Sequence, residues 1–240
     1  LRNCVQWADR VLAISQAMVP EIVRHYGIPE NRITVIPLGV DASWFAVESP
    51  ARLHEVCTRY AIAPGYFLAV GTLQPRKNID RLVEAYMRLP ASTRAEHQLV
   101  VVGREGWSAT QTVALLRSCK DKGVRWLDRV PDADLHAIYQ AAAAFAFPSL
   151  YEGFGLPVIE AFASRTPVIT SAVTSLPEVA GDAACLVDPY DVDAISAALQ
   201  RMVDDRAWAD DLRDKGYERA KGYTWQACAD RTAEVLQQMA

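Results

Sequence analysis

The chain alternates two textures along its length. Short runs of apolar, strand-favouring residues occur as YFLAVG (66–71), QLVVVG (98–103), VRWLD (124–128), AAFAFPS (143–149), PVIT (167–170) and CLVD (185–188). Between them lie stretches of helical length, which predict helices near 79–89, 110–121, 132–142, 157–164 and 191–204, the third capped by Asp132 after Pro131. The strand runs are apolar throughout rather than alternating, as strands covered on both faces require. The fold class that follows is α/β, a doubly wound, Rossmann-like parallel sheet.

The flanks break this rhythm. Residues 1–36 hold another helix–strand–helix–strand run, with VLAIS (11–15) and ITVIP (33–37) as its strands, and IPLGVD then reads as a connector with a boundary near Pro37–Asp41. From Thr224, TWQACADRTAEVLQQM reads as an amphipathic terminal helix whose apolar face needs cover. The chain so divides into 1–37, 38–223 and 224–240.

Composition narrows the function classes. With 51% hydrophobic and 22% charged residues the chain buries a sizeable core and is too apolar for disorder. A net charge of −4 gives no general attraction to nucleic acid or anionic lipid, so no nucleic-acid partner is expected and any anion must be met locally. Cys4, Cys57, Cys119, Cys185 and Cys228 are scattered without CxxC spacing and read as reduced and mostly buried, in keeping with a cytoplasmic setting. His25, His54, His97 and His136 lack metal-ligand spacing, so neither a metal nor a cofactor is expected. The most apolar run, AAAAFAFPSL from Ala141, is about half the roughly 20 residues a membrane span needs and contains a proline, so it reads as a buried strand. The chain opens on Leu1 without a signal peptide or an initiator methionine, and reads as part of something longer.

In an open α/β sheet, ligands lie beyond the carboxyl ends of the strands. The first predicted strand is followed by GTLQPRKN (71–78), the second by GREGW (103–107), the third by DRVPDAD (128–134) and the fourth by YEGFGLPVIEAF (151–162). Arg76 and Lys77 precede a helix start near Asn78, where free N–H groups and the helix dipole attract anions, so together they can neutralise a diphosphate. A solvated surface pair would read the same in isolation, and position on the rim favours the ligand. Gly153 and Gly155 let backbone approach a ligand, and Pro157 suits a first helical position. Carboxylates beside phosphate are repelled unless they accept hydrogen bonds from hydroxyls, so Glu152 and Glu160 fit a ligand with both phosphate and sugar, such as a nucleotide sugar. The plain alternatives are dipole compensation by Glu160 in a first helical turn, an exposed turn acid at Glu152, or an acid pair for hydrolysis. Asp132 with Asp134, and Asp191 with Asp193, spell DxD, but both precede helical patterns and read as caps; GREG lacks the spacing of a dinucleotide fingerprint and reads as a turn.

The E-x7-E spacing of Glu152 and Glu160, with GTLQPRKN, FPSLYEGFGLPVIEA and SLPEVAGDAACLVDP in this order, resembles glycosyltransferase family 4, of GT-B architecture, from about residue 9 onward. The resemblance implies the C-terminal, donor-binding half of a retaining, metal-independent glycosyltransferase, with residues 1–37 ending the acceptor-side domain and the last helix returning to it. It implies Glu152, Arg76 and Lys77 as catalytic residues, with the two cations on the donor diphosphate. It further implies Gly71, Thr72, Arg129, Val130, Leu135, Gly153, Phe154, Gly155, Leu156 and Glu160 as donor-binding residues: Glu160 on the ribose, Glu152 with the amides of Phe154 to Leu156 on the sugar, and the stretch from Arg129 to Leu135 on the base. The implied partners are a nucleotide-sugar donor and a glycan or lipid-linked acceptor, with peripheral association of the full-length protein at the inner face of a membrane left open. SLYEGFGLPVIEA with GTLQPRKN is most similar to members that use GDP-mannose. Two positions depart from the family: Thr72 stands where many members carry arginine, leaving Arg76 as substitute, and Arg165 stands for a usual glycine, at about 1 kcal/mol if a positive φ is kept. A nucleotide-sugar epimerase of the same architecture and a non-catalytic nucleotide-binding module are the competing functions. This chain alone is expected to bind donor weakly and not to turn over.

Overall fold

The computed structural model describes Val5 and residues 7–239. It begins with Val11–Ala13 (β1), Val19–Tyr26 (α1) and Ile33–Val35 (β2), the two strands pairing in parallel with Leu12 opposite Thr34. The helix expected ahead of β1 falls largely on residues outside those described, as does Cys4. A connector follows, and Gly39 in it meets the other end of the chain: a Cβ there would lie 2.1 Å from the backbone of Thr224 and Trp225. Only glycine permits that approach, and the Val40 N–H donates to the Tyr223 carbonyl beside it at 2.9 Å.

The main body runs Pro50–Arg59 (α2), Tyr66–Val70 (β3), Ile79–Met87 (α3), Ala91–Glu96 (α4), Leu99–Val102 (β4), Thr110–Ser118 (α5), Val124–Leu127 (β5), Asp132–Gln140 (α6) and Ala142–Phe147 (β6). It continues through Leu156–Ala163 (α7), Val168–Ser171 (β7), Leu176–Ala180 (α8), Ala184–Val187 (β8), Val192–Asp204 (α9), Arg206–Ala220 (α10) and Trp225–Gln237 (α11). Strands β3 to β8 form one parallel sheet in the order β5-β4-β3-β6-β7-β8. Both faces are covered: Phe67, Ala69 and Val101 join the core under α3, α5 and α9, while Tyr66, Leu68 and Val100 join the one under α2, α6 and α7. The doubly wound fold is therefore present, with strand ends shifted by one or two residues from the sequence expectation. The alanine-rich run is the buried strand β6.

Four helices, α2, α4, α8 and α10, carry no sequence expectation. In α10 the buried positions are Ala209, Leu212, Gly216 and Ala220, three of them small and all set among many charges, so the apolar periodicity is faint although the packing is close. Of the two aspartate pairs, one meets the expectation of a cap and the other departs from it. Asp191 caps α9, accepting the N–H groups of Asp193 and Ala194. Asp132 does not cap α6, because Pro131 takes the cap position and Asp132 is the first helical residue. Asp134 turns inward, taking Arg52 at 2.5 Å, Arg59 at 2.7 Å and the Tyr60 hydroxyl at 2.7 Å. Burial alone would raise the Asp134 carboxyl; the hydroxyl and the two guanidinium groups outweigh it and hold the group below its ordinary value. This cluster ties α2 to α6.

Among the described residues no disulfide forms; Cys57 and Cys119 are buried, Cys185 and Cys228 half-buried. No described helix is long and apolar enough to cross a membrane. Gly216 sets how closely α10 approaches α7, since a Cβ there would lie 2.4 Å from the fully buried Phe162 ring. Gly216→Ala gains helix propensity of about 1 kcal/mol but overpacks the ring at a cost of about 1–3 kcal/mol. Urea denaturation is expected to show net destabilisation, and a stabilised variant would mean that the ring yields freely.

Candidate functional site

The strand order reverses between β3 and β6, and the crevice beyond their carboxyl ends is where an open α/β sheet offers a ligand site. After β3, the loop at Gly71 has φ 145° and runs against the loop after β4, where a Cβ on Gly103 would meet the Gly71 carbonyl oxygen at 2.0 Å. The Leu73 N–H donates to the Arg104 carbonyl at 2.8 Å, and the Gly106 N–H to the Leu73 carbonyl at 3.0 Å. GREG is thus a brace for the GTLQ loop, and the Thr72 methyl faces Gly106.

Arg76 and Lys77 lie in a 3₁₀ turn, Pro75–Lys77, that ends at Asn78 in the left-handed region with φ 59°. Asparagine tolerates that conformation better than most side chains. Its amide donates to the carbonyls of Pro148 (2.9 Å) and Pro189 (2.7 Å), fastening the exits of β3, β6 and β8 to one another. The Leu150 N–H donates to the Arg76 carbonyl at 2.8 Å. The turn that presents the cations is therefore locked to the loop that presents Glu152.

Both cations meet that glutamate. Lys77 Nζ is 2.7 Å from Glu152 Oε1 and Arg76 Nη1 is 2.7 Å from Glu152 Oε2. Lys77 and Glu152 are each only 8% exposed, so Glu152 is no exposed turn acid, because its oxygens are engaged by two cations. Burial pushes the Lys77 ammonium below its ordinary value against the pull of Glu152. The Phe147 ring lies 4.4 Å from Lys77 Nζ and offers a further favourable contact for the charge.

Gly155, at φ 119°, precedes α7, whose start carries no side-chain cap. Pro157 occupies the second helical position rather than the first. Glu160 sits in the second turn of α7, not the first, so dipole compensation does not explain it. Its Oε2 accepts from the Tyr139 hydroxyl at 3.1 Å. Burial, reinforced by Asp132 and opposed by Tyr139 and Lys77, pushes the Glu160 carboxyl above its ordinary value. Asp132, at the start of α6, therefore lies within electrostatic range of Glu160.

Of the expected residues, Gly71 lies against Lys77, where a Cβ would meet Lys77 Cε at 3.2 Å, Arg76 and Lys77 hold Glu152, and Gly153, Phe154 and Gly155 lead from it into α7, which carries Leu156 and Glu160. Val130 and Leu135 are half-buried against the core that also contains Phe154 and Leu156. Arg129 stands in solvent beyond β5, two strands from β3, with Asp128 4.0 Å away. Sequence reasoning passed over Asn78, Tyr139, Thr174 and Ser175. The last two hold the glycine loop: the Glu152 N–H donates to the Thr174 hydroxyl at 3.3 Å, and the Ser175 hydroxyl lies 2.9 Å from the Glu152 carbonyl. Arg165 does keep the left-handed backbone, φ 56°, and stacks its guanidinium 3.6 Å from the Tyr217 ring centroid, a cation–π contact that offsets the strain. Among the described residues no His, Cys, Asp or Glu cluster is arranged to hold a metal ion.

The raised Glu160 value makes stability pH-dependent. The folded protein retains a proton that the unfolded chain loses near 4.5, so that contribution is full below 4.5 and is lost as pH rises through the folded-state value. Glu160→Gln stays neutral and is expected to exceed the parent in stability at pH 7, with the gap closing toward pH 4.5 in denaturant titrations. A gap that widens toward low pH would show that Lys77 stabilises the anion more than burial penalises it.

Residues 63–221 match the family described as glycosyl transferases group 1, and residues 1–44 match glycosyltransferase family 4. The O-antigen chain mannosyltransferase B of Escherichia coli is 39% identical over 97% of this chain and 61% of its own length. The MMP alpha-(1->4)-mannosyltransferase of Mycolicibacterium hassiacum is 32% identical over 95% of this chain and 53% of its own. The chain thus spans 61% or less of the lengths of these two relatives. Among solved structures, sucrose-phosphate synthase from Thermosynechococcus elongatus superposes with a TM-score of 0.84 at 27% identity, covering 99% of this chain and 60% of that one. A glycosyltransferase from Rickettsia africae shares the fold at 0.84 and 18% identity, over 96% and 63%. With residues 63–221, about two thirds of its length, matched by that family model, the chain belongs to the group 1 glycosyl transferases.

Proposed function

We propose that this chain is the donor-binding part of a retaining glycosyltransferase of family 4 that moves mannose from GDP-mannose to a glycan or lipid-linked acceptor. The observation that carries the reading is the convergence of Arg76 and Lys77 on a single carboxylate at the switch point, 2.7 Å on each side. Two fixed cations that hold two oxygens of one anion form the seat a diphosphate needs. Here Glu152 engages both cations.

When donor phosphate takes the cations, Glu152 is freed to accept hydrogen bonds from sugar hydroxyls beside the Gly153–Leu156 backbone. In this reading Glu160, which accepts from the Tyr139 hydroxyl at 3.1 Å, takes the ribose hydroxyls. As the bond from the anomeric carbon to the phosphate oxygen breaks, charge grows on the leaving diphosphate. Arg76, Lys77 and the uncapped start of α7 stand ready to stabilise it, so the reading needs no metal. Val130 and Leu135 are assigned to the base, and Arg129 could join them only by swinging from solvent. The donor sugar is suggested by relatives named as mannosyltransferases. The acceptor is assigned to the part of the longer protein that faces this rim, where peripheral membrane contact would also lie.

In the intact protein, Lys77→Ala is expected to lower kcat/KM for the donor by about 10²–10³-fold, the usual cost of removing one preorganised charge stabiliser. Arg76→Ala, at a more exposed position, is expected to cost less. Product analysis with labelled GDP-mannose separates the functions: label on an acceptor supports transfer, whereas a changed sugar still on the nucleotide would establish an epimerase. A thermal-shift panel of GDP-, UDP-, ADP- and TDP-sugars is expected to single out GDP-mannose, since only a bound ligand stabilises the fold.

A further inference from the structure

The loop carrying Glu152 is gripped from two sides by segments that are themselves joined. On one side, besides the Thr174 contact, the Ser175 hydroxyl shares its single proton between the carbonyls of Glu152 (2.9 Å) and Phe154 (2.8 Å). On the other side, the fully buried Ser15 donates its hydroxyl to the Gly153 carbonyl at 2.7 Å. A Cβ on Gly153 would lie 3.3 Å from the Ile14 side chain and 3.7 Å from the Met18 sulfur, so the loop runs close under residues 14–18. The Tyr151 hydroxyl is 3.4 Å from that sulfur.

Glu178 joins the two grips. Its Oε1 accepts the Gln16 N–H at 2.9 Å and its Oε2 the Ala17 N–H at 3.1 Å, across 162 and 161 positions of sequence. Successive backbone amides chelated by one carboxylate are among the stronger hydrogen bonds a protein makes. The short helix α8 that carries Glu178 is fixed from behind by Arg219, whose Nε donates to the Val179 carbonyl (2.6 Å) and Nη2 to the Glu178 carbonyl (2.7 Å). Glu178 touches neither Arg76 nor Lys77, so any effect on the anion seat passes through residues 15–18 and the glycine loop.

We propose that Glu178 is a positioning residue, a latch that holds residues 15–18 against the glycine loop and so fixes Glu152 opposite the two cations. The proposal rests on the donor-binding reading of the rim. It also gives the segment ahead of the connector a role in donor binding. Opening the latch leaves the Gly153 carbonyl without its buried partner and the loop free to carry Glu152 away from the seat.

The test compares Glu178→Ala, Glu178→Gln and Ser15→Ala with the parent in the intact protein, and includes Lys77→Ala. Two readouts are taken: amide hydrogen exchange at Gln16, Ala17 and Glu152–Phe154, and calorimetric affinity for whichever of GDP and UDP the parent binds. Glu178→Ala is expected to speed exchange at Gln16 and Ala17 and to weaken nucleotide binding, each by about tenfold, the loss expected for hydrogen bonds to a charged group. Glu178→Gln, which keeps one acceptor oxygen, is expected to recover part of both effects, and Ser15→Ala to shift both in the same direction by less. If Lys77→Ala abolishes binding while the Glu178 and Ser15 variants leave affinity and loop exchange within about twofold, the latch is wrong and the donor site stands. Nucleotide binding unaltered by Lys77→Ala would overturn the donor reading itself. Should Glu178→Ala not fold, Glu178→Gln and Ser15→Ala decide by the same two readouts.

Discussion

A buried ammonium must have a counter-charge, and at this switch point Lys77 has Glu152. An ammonium only 8% exposed would otherwise lose its proton or leave the interior. Much of the surrounding architecture serves to keep that pair registered. Parallel pairing of β3 with β6 brings the two loops side by side. Asn78 binds their exits to each other, Phe147 lies against the ammonium, and Thr174 and Ser175 hold the backbone that bears the carboxylate.

Such a pair is a weak source of stability, because desolvation of both ions consumes most of the Coulomb attraction. Its value lies in exchange. In the proposed reading a donor phosphate takes the place of the carboxylate, so that the buried Lys77 and the half-exposed Arg76 keep an anionic partner throughout. Glu160 stands in a different position, held by a tyrosine hydroxyl and kept toward its neutral form by burial. Two carboxyl groups eight residues apart thus serve unlike purposes: one balances charge, the other is a hydrogen-bonding group in an apolar wall.

Residues 11–35 form their own small parallel pair, yet their hydrogen bonds reach the glycine loop and α8 through Ser15, Gln16 and Ala17. The connector at Gly39 and the chain crossing at Thr224 touch backbone to backbone at a second point. Local sequence gives no hint of the first contact, since it depends on a glutamate more than 160 positions away. Nothing in the composition of SLPE reveals what its glutamate faces.

What local chemistry could dictate, it did. The runs around Phe67 and Val100 read as strands buried on both faces, since short continuous runs of apolar, β-branched and aromatic residues closed by glycine favour that element, and the alanine-rich run around Phe145 ends in a proline that favours it too. In a parallel sheet of such strands, the residues following each strand had to share one rim. Three-dimensional packing decided the rest. It placed Asp134 between two arginines instead of at a helix cap, set α10 on α7 through a glycine, and chose Glu152 over solvent as the partner of Lys77. Periodicity and turn chemistry act over a few residues and can be read along the chain, whereas the partner of a buried charge is whichever opposite charge the fold brings within about 3 Å, and no local pattern encodes that distance.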